Sequence, residues 1–126
     1  TFVARGFSGD PRHLAELMKQ AIQHKGFALI DVMSPCVTFN RDNTAQFFRQ
    51  RVSKLEDIDH DATDWKDACE KAMVWDENIY IGIFYQVKGN PSLDQAEPVL
   101  DEGGPLAHRK LGLSNSQVDK LITGMM

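Results

Sequence analysis

A short apolar segment that ends in a proline-fixed turn constrains the fold more than any other part of the chain. Residues Ala28 to Met33 form a mostly apolar run between Gly26 and Pro35, a pattern that predicts a strand covered on both faces, as in parallel sheets. Ligands of open α/β sheets bind just outside the carboxyl ends of such strands. Cys36 follows the proline directly. We therefore expect its thiol to lie where a ligand of the sheet would bind.

The residues before this strand predict a βαβ unit. Phe2 to Arg5 has strand character, and Asp10 followed by Pro11 is typical of a helix N-cap and first helical position. A single apolar stripe at helical spacing then continues to a glycine stop at residue 26, and it consists of Leu14, Leu17, Met18, Ala21 and Ile22. Because βαβ crossovers join parallel strands, the two strands are expected to share a parallel sheet.

Two short amphipathic helices are predicted after the cysteine loop. Asn43 or Thr44 is expected to cap the first, whose apolar positions are Phe47, Phe48 and Val52. Thr63 is expected to cap the second, and the spacing predicts that one stripe of it is buried, namely Trp65, Ala68, Cys69, Ala72 and Met73. On this interpretation Cys69 is a packed core thiol.

The remainder of the chain is predicted to form a strand, an arm and a helix. Ile79 to Val87 is rich in β-branched and aromatic residues, which favours a third strand. Lys88 to Pro105 is rich in glycine, proline and acidic residues and predicts a long loop or arm. Ser114 or Ser116 is expected to cap a last amphipathic helix that carries Val118, Leu121, Ile122 and Met125.

Composition excludes several classes of protein. The length of 126 residues suits one domain, and a net charge of −4 without a basic cluster argues against nucleic acid as a partner. No apolar run approaches the length of a transmembrane helix, so no membrane partner is expected. Two cysteines without disulfide-like spacing favour a reducing, cytoplasmic location.

The acidic and histidine residues offer few candidates for a site. The stretch from Asp57 to Asp61 could supply hard oxygen ligands to a metal, but its spacing fits no EF-hand loop. We interpret it as a solvated acidic turn and assign no metal there. His13, His24 and His108 suit a general base by residue type alone, and none has a visible nucleophile partner.

Two blocks of sequence closely resemble the β subunit of 2-oxoacid:ferredoxin oxidoreductases. The first, Val3 to Asp10, reads VARGFSGD, and the second, His24 to Asn40, reads HKGFALIDVMSPCVTFN. The resemblance extends more weakly over residues 60–64 and 81–85. It implies that the chain is the C-terminal part of a β subunit, beginning inside a strand, and that the isolated chain is inactive.

The resemblance also implies cofactors and partners. The family's β subunit binds thiamine diphosphate, Mg²⁺ and one 4Fe-4S cluster, and it acts with an α subunit, ferredoxin, coenzyme A and a 2-oxoacid. Cys36 matches the last of the four cluster cysteines, whereas the other three and the Gly-Asp-Gly motif that holds the diphosphate would lie upstream. Gly9-Asp10 is followed by Pro11 and does not match that motif. Spacing alone favours an ordinary loop thiol for Cys36, since this chain has neither a Cys-x-x-Cys nor a third cysteine.

The resemblance implies an α/β fold, the C-terminal part of a three-layer α/β/α domain that binds thiamine diphosphate, with parallel strands. We expect this domain to occupy residues 1–87, including a β-subunit extension from about residue 37, and an arm with a terminal helix to occupy residues 88–126. The complete enzyme is expected to convert a 2-oxoacid, either 2-oxoglutarate or a pyruvate-like acid, and coenzyme A to acyl-CoA and CO₂, and to pass electrons through the cluster to ferredoxin. The alternative is a non-catalytic module for subunit assembly.

Overall fold

The structure is a computed structural model that describes residues 1–101, 103, 105–109 and 112–125. The described chain divides into two compact units, Thr1–Ser92 and Leu93–Met126. The first unit contains four strands, three α-helices and a 3₁₀ turn: β1 (Phe2–Phe7), α1 (Pro11–Gln23), β2 (Ala28–Met33), α2 (Ala45–Arg49), β3 (Val52–Lys54), the turn Leu55–Asp57, α3 (Trp65–Met73) and β4 (Ile79–Gln86).

The predicted βαβ unit is confirmed. β1 and β2 pair in parallel along their whole length, from Phe2 opposite Ala28 to Phe7 opposite Met33. The side chain of Asp10 accepts a hydrogen bond from the N–H of His13 at 3.2 Å and caps α1. Local signals therefore determine this part of the fold, because the cap and the helix stripe lie within one stretch of sequence. The predicted stop at Gly26 was wrong, since α1 ends at Gln23 and His24 is its C-cap.

The sheet has the order β2-β1-β4-β3, and it contains a strand that the sequence did not predict. β4 runs antiparallel to β1, whereas β3 runs parallel to β4, with Val52 opposite Ile79. Our assignment of Val52 to the preceding helix was wrong, because α2 ends at Arg49. Three residues contain too little periodic signal to reveal a strand whose partner lies 27 positions further along the chain.

The first unit has three layers. Ala4 packs with Leu17 of α1, whereas the guanidinium of its neighbour Arg5 donates to the carbonyl oxygen of Ala72 in α3 at 3.4 Å. Because successive residues of a strand face opposite sides of the sheet, α1 and α3 cover opposite faces. The predicted α/β/α arrangement is therefore confirmed for this unit.

The expectation that β2 is covered on both faces was wrong. β2 is the edge strand of the sheet, and Leu29 is 50% exposed. The exposure follows from position in the sheet, since α3 lies over the inner strands, where it packs with Phe84 of β4. An apolar run therefore indicated a strand correctly but did not indicate what covers it.

The helices after the cysteine loop agree only in part with prediction. Thr44 caps α2 as expected, with its hydroxyl accepting from the N–H of Phe47 at 3.3 Å. Asp64, rather than Thr63, caps α3, because its carboxylate accepts the N–H groups of the first turn. The predicted burial of the α3 stripe was also wrong at its ends, where Trp65 is 65% and Met73 is 80% exposed.

The second unit consists of short helical segments and one longer helix: α4 (Leu93–Ala96), α5 (Pro98–Asp101), a 3₁₀ turn (Leu106–His108) and α6 (Asn115–Gly124). The predicted arm thus contains two helical turns, although residues 102 and 104 of it lie outside the described residues. Ser114 is the N-cap of α6, as predicted, and its N–H donates to the Gln117 side chain at 2.8 Å. Among the described residues no helix has both the length and the apolarity needed to cross a bilayer.

Candidate functional site

The loop that carries Cys36 begins at the carboxyl end of β2 and is closed by its own backbone. The carbonyl oxygen of Met33 accepts the N–H of Ser8 at 3.0 Å, which holds the end of β2 beside the end of β1. The carbonyl oxygen of Cys36 then accepts the N–H groups of Phe39 and Asn40 at 3.3 and 2.9 Å. The cysteine is thus the first residue of a closed turn at the mouth of a strand, as the sequence predicts.

The backbone of this turn favours the thiolate form of Cys36. Hydrogen bonds from the N–H of Phe39 and then from the N–H of Thr38 to the sulfur hold the pKa of the thiol below its usual value. The residue is exposed, so reagents and ligands reach the sulfur from solvent. Because the thiolate is the form of cysteine that ligates metals, the lowered pKa is compatible with a ligand role for Cys36.

Cys36 fits one corner of an iron–sulfur cluster. Such a cluster takes four thiolate ligands. In the described part of the chain, no group of three or more histidine, cysteine or acidic side chains is placed to hold a metal ion. The exposed Cys36 thiol is therefore compatible with one ligand position of such a cluster.

Cys69 lies in a different environment, half-buried on α3, and both cysteines are free thiols.

We predict that an alkylating reagent labels Cys36 at least about tenfold faster than Cys69 in the folded chain, because Cys36 is exposed and its thiolate is stabilised. Mass spectrometry of peptides after timed iodoacetamide labelling would measure both rates. Equal rates in native buffer, rather than only in denaturant, would show that the turn or the helix face is assigned incorrectly.

The acidic stretch is organised around a buried histidine that sequence reasoning missed. The His60 side chain is only 3% exposed, with Nδ1 at 2.8 Å from Asp67 and Nε2 at 2.9 Å from the carbonyl oxygen of Phe84. The carboxylate of Asp61 accepts both the N–H and the hydroxyl of Thr63. The stretch is therefore a structural turn that precedes α3 and, through His60, holds α3 against β4. Since Phe84 lies 24 residues from His60, no local pattern could have shown the contact.

Asp67 makes the stability of this turn dependent on pH. Its hydrogen bonds with Lys71 and then with His60 hold the pKa of the carboxyl below its usual value. A lowered folded-state pKa stabilises the fold above the unfolded pKa of about 3.9, and the contribution is lost as the pH falls through the folded-state pKa.

We predict that Asp67→Asn lowers the melting temperature at pH 7 and that the difference from the parent chain shrinks towards pH 3. Asp59→Asn, the same change at an exposed neighbour, should lower it less at pH 7, and equal effects would contradict the prediction.

His13 and His24 have structural partners. His13 Nε2 lies 3.3 Å from the carboxylate of Glu56, beside an ion pair of 2.8 Å between Lys54 and Asp10. His24 Nε2 lies 2.8 Å from the hydroxyl of Thr1. These contacts tie α1 to the 3₁₀ turn and to the start of β1, and we assign none of these histidines a catalytic role.

Comparison with known proteins identifies the family. The family model for the C-terminal region of the pyruvate ferredoxin oxidoreductase beta subunit matches residues 36–102, more than half of the chain. The β subunit of a 2-oxoacid:ferredoxin oxidoreductase from Sulfolobus sp. is 42% identical over 109 residues, which cover 75% of this chain. The chain belongs to the β-subunit family of 2-oxoacid:ferredoxin oxidoreductases. The resemblance in its sequence blocks is thereby confirmed.

Two further members of the 2-oxoacid:ferredoxin oxidoreductase family show how much of the protein is matched. A β subunit from Aeropyrum pernix is 42% identical over 115 residues, covering 83% of this chain and 35% of the relative. The structure of a 2-oxoglutarate:ferredoxin oxidoreductase from Magnetococcus marinus, with 2-oxoglutarate, coenzyme A and succinyl-CoA bound, aligns with a TM-score of 0.74 at 34% identity, over 96% of this chain and 40% of that chain. The chain spans about a third of the length of the curated relatives it matches.

Proposed function

We propose that the chain acts as the C-terminal part of the β subunit of an enzyme that oxidatively decarboxylates a 2-oxoacid. In this proposal the complete enzyme forms acyl-CoA and CO₂ with coenzyme A and passes the electrons through a 4Fe-4S cluster to ferredoxin. The observation that carries the proposal is the exposed Cys36 thiol in an amide-lined turn at the carboxyl end of β2, in a chain of this family. The partners are an α subunit of the same enzyme and ferredoxin, and the location is cytoplasmic.

Cys36 is proposed as a ligand of that cluster. Its sulfur accepts backbone N–H groups of Phe39 and Thr38, which stabilise negative charge on the thiolate. Hydrogen bonds to cluster sulfurs are one means by which a protein adjusts the reduction potential. The turn is closed by the carbonyl oxygen of Cys36, and the side chain of Asn40 orders the segment that follows by accepting the N–H groups of Asp42 and Asn43 at 3.0 and 2.9 Å. The backbone thus favours the thiolate form of Cys36.

Thiamine diphosphate, held with Mg²⁺ in the complete enzyme, supplies the carbanion chemistry of decarboxylation. The described residues lack a site of three or more metal-ligating side chains that could hold Mg²⁺. We propose that this chain supplies one cluster ligand, Cys36. We also propose that residues 1–87 belong to the domain that binds thiamine diphosphate, with the β-subunit extension from about residue 37. Residues 88–126 are proposed to form the arm and terminal helix of the subunit.

The proposed substrate is 2-oxoglutarate or a pyruvate-like acid. The Magnetococcus marinus structure holds 2-oxoglutarate and succinyl-CoA, and this supports the longer acid as the first choice. The test is a ferredoxin-reduction assay on a β subunit that contains this sequence, assembled with its α subunit. Reduction that requires both 2-oxoglutarate and coenzyme A is expected, whereas an assembled enzyme that reduces no ferredoxin with either acid would contradict the proposal.

The 126-residue chain alone is expected to be inactive and not to bind thiamine diphosphate. The reason is that its only Gly-Asp pair, Gly9-Asp10, is followed by Pro11 and does not match the Gly-Asp-Gly motif that holds Mg²⁺ and the diphosphate in the family. Calorimetric titration with thiamine diphosphate and Mg²⁺ should give no saturable heat, while the assembled enzyme measured in parallel should bind. A micromolar dissociation constant for the chain alone would show that the cofactor site lies in these residues.

A further inference from the structure

The loop and the short helix that follow Cys36 are positively charged, although the chain as a whole is not. Residues 34–51 contain three arginines and one acidic residue, Asp42, whereas the whole chain has a net charge of −4. The arginines are separated by other residues, so the sequence does not show them as a basic run. They are Arg41, Arg49 and Arg51.

The closed turn holds Arg41 beside the thiol. The N–H of Asn40 donates to the carbonyl oxygen of Cys36 at 2.9 Å, and Arg41 is the next residue. The side chain of Asn40 then accepts the N–H of Asp42 at 3.0 Å, so the backbone on both sides of Arg41 is ordered. The position of this arginine near Cys36 is therefore a property of the turn.

Packing of α2 brings Arg49 to the same end of the sheet. Phe48 is buried in one core cluster with Phe7 and Met33, which are the last residues of β1 and β2. The ring centroids of Phe48 and Phe7 are 5.8 Å apart. Because Arg49 follows Phe48 directly, it lies on the helix that packs at the strand mouths, where the Cys36 loop also begins.

Two of the three guanidinium groups are available to a partner. Arg51 is engaged locally, since its guanidinium lies 3.9 Å from the centre of the Phe47 ring and donates to the carbonyl oxygen of that residue at 3.1 Å. Arg41 and Arg49 are exposed, and within the described ranges neither forms an ion pair with an acidic side chain. By contrast, Lys54 pairs with an acidic residue at 2.8 Å.

Apolar side chains lie next to these charges. Val37 and Phe39 are 62% and 91% exposed, and both belong to the turn that Cys36 begins. Aromatic and arginine side chains are the residues enriched at protein interfaces. We call Val37, Phe39, Arg41 and Arg49 the strand-mouth surface.

We propose that the strand-mouth surface binds ferredoxin through carboxylates on the surface of the ferredoxin. This inference rests on the proposed function, in which electrons leave through a cluster held by Cys36, so the acceptor must approach the loop that carries this cysteine. The guanidinium of arginine can form two parallel hydrogen bonds with a carboxylate. Positive charge at the rim also attracts an acidic partner from a distance and raises the rate of encounter.

The composition of the surface suits a transient partner better than a permanent subunit. Permanent interfaces commonly bury more than about 2,000 Å² and are largely apolar, whereas redox encounters bury less than about 1,200 Å². The strand-mouth surface has two apolar side chains beside two exposed guanidinium groups. Permanent burial of a charge without a partner is costly, whereas an acidic acceptor pairs with both arginines on arrival and leaves them in water on departure.

The test is a ferredoxin-reduction assay on the complete enzyme, a β subunit that contains this sequence assembled with its α subunit. The probe is a ferredoxin with an acidic surface. For each variant, kcat/KM for ferredoxin is divided by the rate with an uncharged quinone on the same preparation, so that any loss of cluster or assembly cancels. The double variant Arg41→Glu/Arg49→Glu should lower this ratio at least about tenfold, because repulsion replaces attraction.

Lys25→Glu is the matched control. Lys25 is exposed and precedes β2, so the same change of charge is made at the opposite end of the strand, about 20 Å from the loop. It should alter the ratio by less than about twofold. An increase in ionic strength from about 0.01 M to about 0.1 M shortens the Debye length from about 30 Å to about 10 Å. This increase should lower the ratio of the parent enzyme but not that of the double variant.

Several results would overturn the proposal. These are a ratio in the double variant within about twofold of the parent, an equal fall in Lys25→Glu, or a parent ratio that does not respond to salt. If the glutamate variant does not assemble, Arg41→Gln/Arg49→Gln removes the charges without adding acid and should lower the ratio at least about threefold. Failure of both double variants to bind the α subunit would show that the surface is a subunit interface and would also contradict the proposal.

The quinone separates failure of the strand-mouth surface from failure of the proposed function. A parent enzyme that reduces neither ferredoxin nor quinone with any 2-oxoacid would overturn both. A parent enzyme that reduces ferredoxin equally well with and without the two arginines would remove the surface and leave the proposed function intact.

Discussion

Replacement of Cys36 by alanine in the complete β subunit is expected to collapse ferredoxin reduction to a few per cent or less of the parent rate. The substitution removes one of four thiolates from the proposed cluster, and the only other cysteine of this chain, Cys69, lies on α3. The cluster should be lost, reduced to a three-iron form or shifted in potential, because ligand identity is a main determinant of cluster properties. Iron content, visible absorption and ferredoxin reduction would be measured on the same preparations.

Two variants serve as controls for this experiment. Cys69→Ala removes a half-buried thiol and should cost only packing stability, leaving iron content and electron transfer unchanged. Cys36→Ser keeps the size of the side chain but replaces sulfur by oxygen, so it should restore part of the iron content with an altered spectrum. Decarboxylation measured with an artificial electron acceptor should persist in all three. Full iron and parent-level ferredoxin reduction in Cys36→Ala would remove the ligand assignment.

The parts of the fold that the sequence predicts are those determined by neighbouring residues. Asp10 followed by Pro11 specifies the start of α1, and the apolar run from Ala28 to Met33 matches the bounds of β2. Each signal lies within the element that it describes. Thr44 and Ser114 were each one of two candidate caps, and the neighbouring sequence narrowed the choice because a cap bonds to the first turn of its own helix.

The parts that could not be predicted depend on distant residues. Val52 to Lys54 form β3 because they pair with β4, which lies further along the chain. The end of α2 at Arg49 could be predicted only if that pairing were known. The exposure of Leu29 follows from the strand order, which the sequence of β2 does not encode. Asp64 caps α3 although Thr63 has a comparable cap preference, because Asp61 already binds the threonine.

The candidate site shows the same division. The position of Cys36 at a strand mouth follows from the strand and from Pro35, and both are local. The amide groups that lower the pKa of its thiol belong to Thr38 and Phe39, whose conformation is a property of the closed turn rather than of residue type. Sequence reasoning thus located the thiol, whereas the structure provides the reason for its lowered pKa.

Phe7→Ala is expected to be among the most destabilising single substitutions in the first unit. Phe7 is the last residue of β1, is 1% exposed, and packs with Met33, Phe48, Ile79 and Ile81. These residues come from the ends of β1, β2 and α2 and from the start of β4, so one ring joins four elements beneath the mouth from which the Cys36 loop emerges. Truncation of a buried phenylalanine costs about 3–5 kcal/mol.

A loss of this size is a large part of the total stability of a domain, which is about 5–15 kcal/mol. Phe7→Ala should therefore be partly unfolded in buffer, or should unfold at a much lower urea concentration than the parent chain. Phe39→Ala is the matched control, since it deletes the same ring from a residue that is 91% exposed and should change the free energy of unfolding by about 0.5 kcal/mol or less. Urea denaturation of both variants, followed by tryptophan fluorescence, measures the difference. Because Phe7 supports the end of β2, we also expect Cys36 in Phe7→Ala to lose its kinetic advantage over Cys69 in alkylation. Equal stability of the two variants would show that the shared core at the strand mouths does not hold the loop in place.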